Sequence, residues 1–176
     1  YDLIWWHALA DDNSPLGYVT ALDFARRHAC GSYLDFVAGV GAGALVFARN
    51  GFNIALADIS STLLGFSNWR LSRRGLPAQY IDLKQDKLPD NAFDIITAMD
   101  VFEHLVDPVE ALNELHRSLK PGGYLFGRFA AGPLAAAGLV AGVMLATHDQ
   151  SFLVRTLAVA VSWGAALVLL RLLPRE

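Results

Sequence analysis

Apolar positions along this chain fall into short runs broken by glycine, proline and acidic residues, with longer mixed stretches between them. Five short runs, Tyr33 to Val37, Asn53 to Ala57, Ala78 to Ile81, Phe93 to Met99 and Tyr124 to Phe129, are aliphatic or aromatic and bounded by turn formers, the pattern of buried strands. The stretches between them predict helices. Ser14 with Pro15 is a hydroxyl cap followed by a proline where no N–H is needed, and that helix should reach about Ala29, with Gly31 as its stop. A second helix is expected from Gly43 to Asn50, closed by Gly51. Ser60 should cap a third that runs to about Arg74. Its polar and basic face, Asn68, Arg70, Arg73 and Arg74, reads most simply as a solvated surface. Asp107-Pro108-Val109-Glu110 is close to a capping box and opens a fourth, with Val109, Leu112, Leu115 and Leu119 on one face. Lys120-Pro121-Gly122-Gly123 reads as a turn before the fifth strand. Strands alternating with helices in this way predict βαβ crossovers, hence an α/β three-layer sandwich with a mainly parallel sheet.

The pattern changes after Phe129. Residues 130–176 are dominated by Ala, Leu, Val and Gly, and Asp149 and Glu176 are their only acids. Two apolar runs, Phe129 to Thr147 and Phe152 to Leu173, are each about long enough to cross a bilayer core, with His148-Asp149-Gln150-Ser151 as a turn between them. Nothing here reads as further strands. The sheet is therefore expected to be truncated after strand 5 and followed by an apolar helical tail. Three readings of the tail stand side by side: a two-helix hairpin in a membrane, helices packed on the sheet, or the product of a shifted reading frame. In the first, Arg128, Arg171 and Arg175 would lie on the same side as the α/β domain, as the positive-inside tendency asks. The expected domains are 1–129, with helices over 1–32, and 130–176.

Bulk numbers change the picture little. The chain has 176 residues, is 54% hydrophobic and carries a formal net charge of −3; its mean hydropathy of +0.36 and pI of about 5.9 give no general attraction to nucleic acid. The single cysteine, Cys30, excludes an internal disulfide and a cysteine zinc site. The chain opens on Tyr1 with no secretory signal pattern, as a piece that has lost its N-terminus would.

The candidate chemistry begins at Leu34 to Gly43, LDFVAGVGAG, a buried strand ending in a glycine-rich turn that runs into a helix. Such a turn lets backbone approach a ligand, and the helix start behind it favours polar or anionic groups. Asp58 ends the next apolar run, nineteen residues beyond Gly39. An acid at that spacing sits at the tip of the adjacent strand and can hydrogen-bond both hydroxyls of a ribose. A plain α/β turn plus a helix-capping Asp would look the same on these two features alone. More telling is the set: Asp35 near the end of strand 1, then Asp58, Asp82 and Asp100 after strands 2, 3 and 4. Four acids along one edge of neighbouring strands point to a polar ligand lying across the carboxyl ends of the sheet.

Over residues 15 to 129 the sequence resembles the class I S-adenosylmethionine-dependent methyltransferases, with their Rossmann-like fold. The marks are LDFVAGVGAG, ALADIS, the strand end at Asp82, FDIITAMDVFEHLVDP and LKPGGYLF, and the closest likeness is to the branch that methylates small molecules, quinone precursors included. The resemblance implies S-adenosyl-L-methionine as cofactor. Asp35, the turn at Val37, Gly39 and Gly41, and Asp100 with the segment to His104 would line its methionine and sulfonium end. Asp58 and Ile59 would hold the ribose, and Asp82 with the Leu83 amide would recognise adenine. His104 is the candidate general base for a hydroxyl acceptor, with packing against the cofactor or capping a turn as its other readings. Glu103, His104 and Asp107 offer at most a partial metal site. Phe102, Trp5, Trp6 and His7 are candidates for the acceptor pocket.

Two departures from the family pattern bear on activity. Valine 37 stands where the family has glycine, adding bulk where backbone meets the cofactor, and the sheet lacks its expected continuation. The enzyme reading is methyl transfer to a small-molecule or lipid-like acceptor, in the cytoplasm or at the inner face of a membrane held through 130–173. Its competitor is a non-catalytic, degenerate cofactor-binding or interaction module. A nicotinamide-linked oxidoreductase shares the glycine turn and the ribose acid but leaves EHLVDP and KPGG without a role.

Overall fold

The computed structural model describes residues 14–29, 31–129, 157–162 and 165–171, with side chains over 16–29 and 31–127. The elements are α1 (Ser14–His28), β1 (Ser32–Phe36), α2 (Ala42–Ala48), β2 (Asn53–Asp58), α3 (Ser61–Ser72), β3 (Ala78–Asp82), β4 (Phe93–Met99), a 3-10 turn (Phe102–His104), α4 (Pro108–Ser118), β5 (Leu119–Phe129), β6 (Leu157–Ser162) and β7 (Ala165–Arg171). They build one seven-stranded sheet in the order β3-β2-β1-β4-β5-β7-β6. The first five strands are parallel, and β7 joins β5 antiparallel and pairs with β6.

Local chemistry explains the helix starts. Ser60 accepts the Leu63 N–H, and Asp107 accepts the Glu110 N–H with Pro108 in the first turn. The strands alternate between two cores. Tyr33, Ile54, Leu56, Ile95, Tyr124 and Phe126 pack under α1, α2 and α3. Leu34, Phe36, Ala57, Ile96 and Leu125 pack on the opposite face with Leu115 of α4. Both faces of the parallel strands are therefore covered, which is why they read as continuous apolar runs. Leu115 is buried as the helical stripe requires, whereas Val109 at its start is 45% exposed.

Two expectations are corrected here. The sheet does not stop at strand 5, and the apolar run after Phe152 contains two strands, at 157–162 and 165–171, rather than a helix. Short apolar runs of Ala, Val and Leu do not distinguish helix from strand by period. Pairing decides the matter, because β5 would otherwise present an open edge. Among the described residues no helix is long and apolar enough to cross a membrane. The run from 130 to 147 lies outside the described residues, as do Trp5, Trp6 and His7. Strand 5 also begins earlier than the sequence suggests. Leu119 already pairs with Phe93, and Lys120 to Gly123 bulge out before Tyr124 pairs with Ile95. Gly122 supplies the left-handed backbone there, at φ 79°.

A polar staple closes the amino-terminal end of the sheet. Asp94 Oδ2 accepts hydrogen bonds from the Ser32 amide at 2.8 Å, the Ser32 hydroxyl at 2.6 Å and Lys120 Nζ at 2.9 Å. Asp94 and Lys120 of the FDII and LKPGG segments thus serve the fold, at the end of the strands away from Asp58, Asp82 and Asp100.

Candidate active site

Strand order reverses between β1 and β4, and the crevice beyond the carboxyl ends of these strands is where an open parallel sheet binds ligands. Backbone strain collects there. Val37 follows β1 at φ 55°, and Asp100 follows β4 at φ 55°. Asp tolerates this left-handed region, but a β-branched valine rarely adopts it. Gly39 at φ 52° and Gly41 at φ 68° continue the turn, so left-handed residues alternate at 37, 39 and 41. The position where the family carries glycine is thus one whose backbone asks for it. A Cβ built on Gly39 meets no described residue within 4 Å. One on Gly43 would lie 2.3 Å from Tyr18 and 2.5 Å from the Tyr33 hydroxyl, so that glycine lets α1 and α2 pack closely.

Asp58 holds the turn from the neighbouring strand. It is 2% exposed. Its Oδ2 accepts the Gly39 N–H at 2.9 Å and its Oδ1 accepts the Ser60 N–H at 2.8 Å. Each carboxylate oxygen keeps a second lone pair, so the group can still accept from two hydroxyls. Ile59 beside it is 57% exposed. Asp82 is the register partner of Asp58. Its carboxylate accepts from the Lys84 amide and the Gln85 side chain, which fixes the turn after β3. The Leu83 amide donates to the Asp58 carbonyl at 3.0 Å, so it is already engaged and is not the free adenine donor the resemblance implies.

Asp35 is held by partners on α2 and β4. It is fully buried on the α1–α3 side. Its Oδ2 accepts the Ala44 N–H at 2.9 Å and its Oδ1 the Thr97 hydroxyl at 3.2 Å, with the Tyr33 hydroxyl 2.7 Å from Thr97. Burial pushes its pKa up to about 7 against the hydrogen bonds from Ala44, Thr97, Tyr33 and Tyr18. Through the Ala44 amide it anchors the first turn of α2. Alternation along β1 puts residue 35 on the same face as Tyr33, over α2.

Beyond Asp100 the chain dips into the core at Val101 and Phe102, then surfaces in the 3-10 turn, where Glu103 and His104 are exposed. Phe102, a pocket-wall candidate, is instead a buried anchor at 4% exposure, packed in the core on the α4 side. The His104 amide donates to the Val101 carbonyl at 3.0 Å and fixes the turn. Among the described residues no group of three His, Cys, Asp or Glu side chains could hold a metal. Arg70, placed by the sequence on a solvated face, is half-buried and donates from Nη1 to the Val40 carbonyl at 2.9 Å. Ser67 donates to the Gly39 carbonyl at 3.0 Å. No pattern in the sequence marks either as part of the site.

The family model described as "Methyltransferase domain" matches residues 34–127, which include Asp35, the glycine turn, Asp58, Asp82 and the turn to His104. The chain belongs to the methyltransferase-domain family. Among curated relatives, the demethylmenaquinone methyltransferase of Thermus thermophilus is 34% identical over 125 residues, 68% of this chain and 57% of that protein. The ubiquinone biosynthesis O-methyltransferase of Pseudomonas aeruginosa is 25% identical over 130 residues, 69% of this chain and 56% of that protein. The chain thus spans just over half the length of these relatives. Solved structures share the fold. The PH0226 protein of Pyrococcus horikoshii superposes with a TM-score of 0.73 at 17% identity, covering 99% of this chain and 98% of that one. A SAM dependent methyltransferase of Aquifex aeolicus superposes with a TM-score of 0.68 at 20% identity, covering 92% and 94%.

Proposed function

We propose that this chain is an S-adenosylmethionine-dependent methyltransferase whose acceptor is a small phenolic or quinol-type molecule, as the names of its curated relatives suggest. One observation carries the cofactor assignment. The Asp58 carboxylate is fixed by two amides at the strand edge, beside a left-handed glycine turn where no described residue lies within 4 Å of a Cβ on Gly39. Its remaining lone pairs suit the paired hydroxyls of a ribose. Ile59 offers an apolar surface next to it, and Asp82 reaches the same edge one strand further out. Asp100 and the turn from Val101 to His104 lie beside the crevice, where the reactive methyl would be held.

When bound, the cofactor supplies a methyl group already activated on a sulfonium. The chain's own residues have simpler work: hold donor and acceptor in line, and keep water away. His104 stands on the exposed turn after β4 and takes the proton of a hydroxyl acceptor. Asp35 contributes indirectly, by fixing the first turn of α2. The competing reading, a degenerate module without turnover, loses one of its supports now that β6 and β7 complete the sheet. Its other support, the strained Val37, concerns affinity more than chemistry.

The test is transfer of labelled methyl from S-adenosylmethionine to a panel of catechols and naphthoquinols, with wild type and His104→Gln. Turnover is expected for wild type, with a drop of about 100-fold in kcat for the variant and unchanged cofactor affinity, the usual size of a general-base effect. No transfer to any phenol or quinol would sink the acceptor class, and equal rates would remove His104 from the chemistry.

A further inference from the structure

A turn with left-handed residues at 37, 39 and 41 does not hold its shape unaided, least of all with valine at the first position. Asp58 fixes one of its N–H groups. Its carbonyls are fixed from another element altogether. From the middle of α3, Ser67 Oγ donates to Gly39 O at 3.0 Å, and one turn on, Arg70 Nη1 donates to Val40 O at 2.9 Å. Ser67 is completely buried, and its hydroxyl lies 3.0 Å from where a Cβ on Gly41 would stand, so helix and turn are in direct contact.

Arg70 is placed against its own electrostatics. Burial disfavours its charge, and the neighbouring Arg74 and Arg49 disfavour it further. None of the four ion pairs among the described residues involves it. Among the described residues its guanidinium donates to a neutral carbonyl of the glycine turn. A long cation on a helix surface has easier places to be, as Arg73 shows by lying over the exposed Trp69 ring. The position of Arg70 makes sense if the carbonyl it reaches matters.

We propose that Ser67 and Arg70 are positioning residues for cofactor binding: by holding the Gly39 and Val40 carbonyls they keep the peptide planes of the turn oriented, so that the Gly39 N–H stays on Asp58. The proposal rests on the reading of this turn as the cofactor's place. It assigns α3 a part in affinity that neither residue could have through direct contact with the acceptor.

The experiment is calorimetric titration of S-adenosylhomocysteine into the full chain, for wild type, Ser67→Ala, Arg70→Met, Arg70→Lys and Arg73→Met, with melting temperatures for each. One net hydrogen bond corresponds to about a three- to tenfold change in affinity. Ser67→Ala and Arg70→Met are each expected to weaken binding by that factor. Arg70→Lys, which can still donate to a single carbonyl, should stay within about twofold, and Arg73→Met should match wild type. Amide hydrogen exchange of Val40 to Ala44 in the free protein gives an independent readout and should be faster in Arg70→Met. Equal affinity and exchange in Arg70→Met and wild type would overturn the proposal. So would equal losses in Arg70→Met and Arg73→Met, which would mark a general charge effect. If wild type itself fails to bind, the cofactor's place has been misread and the positioning role falls with it.

Discussion

Replacing Val37 separates backbone strain from side-chain packing. At φ 55° any residue with a Cβ pays a steric penalty of about 1–2 kcal/mol, and glycine pays none. Glycine in turn loses roughly 0.5–1 kcal/mol relative to alanine through the freedom of its unfolded chain. At an ordinary site alanine is therefore the more stable of the two. Here the strain outweighs the entropy, and Val37→Gly should exceed Val37→Ala by about 0.5–1 kcal/mol. Packing sets the level of both. Val37 is half-buried against the core on the α4 side, so removing its methyls costs about 1 kcal/mol. Val37→Ala should accordingly lose about 1 kcal/mol, while Val37→Gly should stay within about 1 kcal/mol of wild type. Urea unfolding of the three proteins, compared by midpoint at constant m value, reads this order directly. An alanine variant as stable as the glycine variant, or more so, would refute the strain argument. Under the proposed reading of this turn as the cofactor's place, the same glycine variant should bind S-adenosylhomocysteine more tightly than wild type; equal affinity would show that the valine is accommodated.

Two further expectations concern pH. The Asp35 pKa of about 7 lies above its unfolded value, so this group favours the fold fully below about pH 4, and that advantage is lost as pH rises towards 7. Asp35→Asn should flatten the fall in stability between about pH 4 and pH 7, measured by urea unfolding; an unchanged slope would show that another group is responsible. Asp94 has the opposite sign. Burial raises its pKa, but the Ser32 hydrogen bonds and Lys120 more than offset that and leave it below the ordinary value. Its contribution is present above about pH 4 and is lost as the carboxyl protonates in stronger acid. Asp94→Asn should cost about 1–2 kcal/mol at neutral pH and remove part of the acid-unfolding transition, and an acid midpoint and neutral stability like those of wild type would count against the staple.

The parallel core was legible because its signals are local. Asp107 and Ser60 announce helix starts, Gly31 and Gly51 announce ends, and the strands are apolar runs between them. The place of Asp58 at the end of β2 was legible as well, since spacing from a glycine turn is a sequence quantity. What escaped depends on partners distant in the chain. Ser67 and Arg70 look like any polar residues on a helix, and only the fold brings them to the turn 28 and 30 residues earlier. Phe102 looks like a pocket aromatic until the 3-10 turn drives it into the core. The strands at 157–162 and 165–171 were misread because small apolar residues carry no clear period, and the edge of β5 decides their form. Fold alone does not fix the chemistry either. One fold hosts many chemistries, and the residues at the site decide among them.

Calorimetric titration of S-adenosylhomocysteine into wild type and Asp58→Asn tests the central claim most directly. The account expects one site in wild type and binding at least about tenfold weaker in the variant, as the loss of hydrogen bonds to a charged acceptor implies. No binding in wild type, or equal affinity in the two proteins, would mean that the glycine turn and Asp58 do not hold the cofactor.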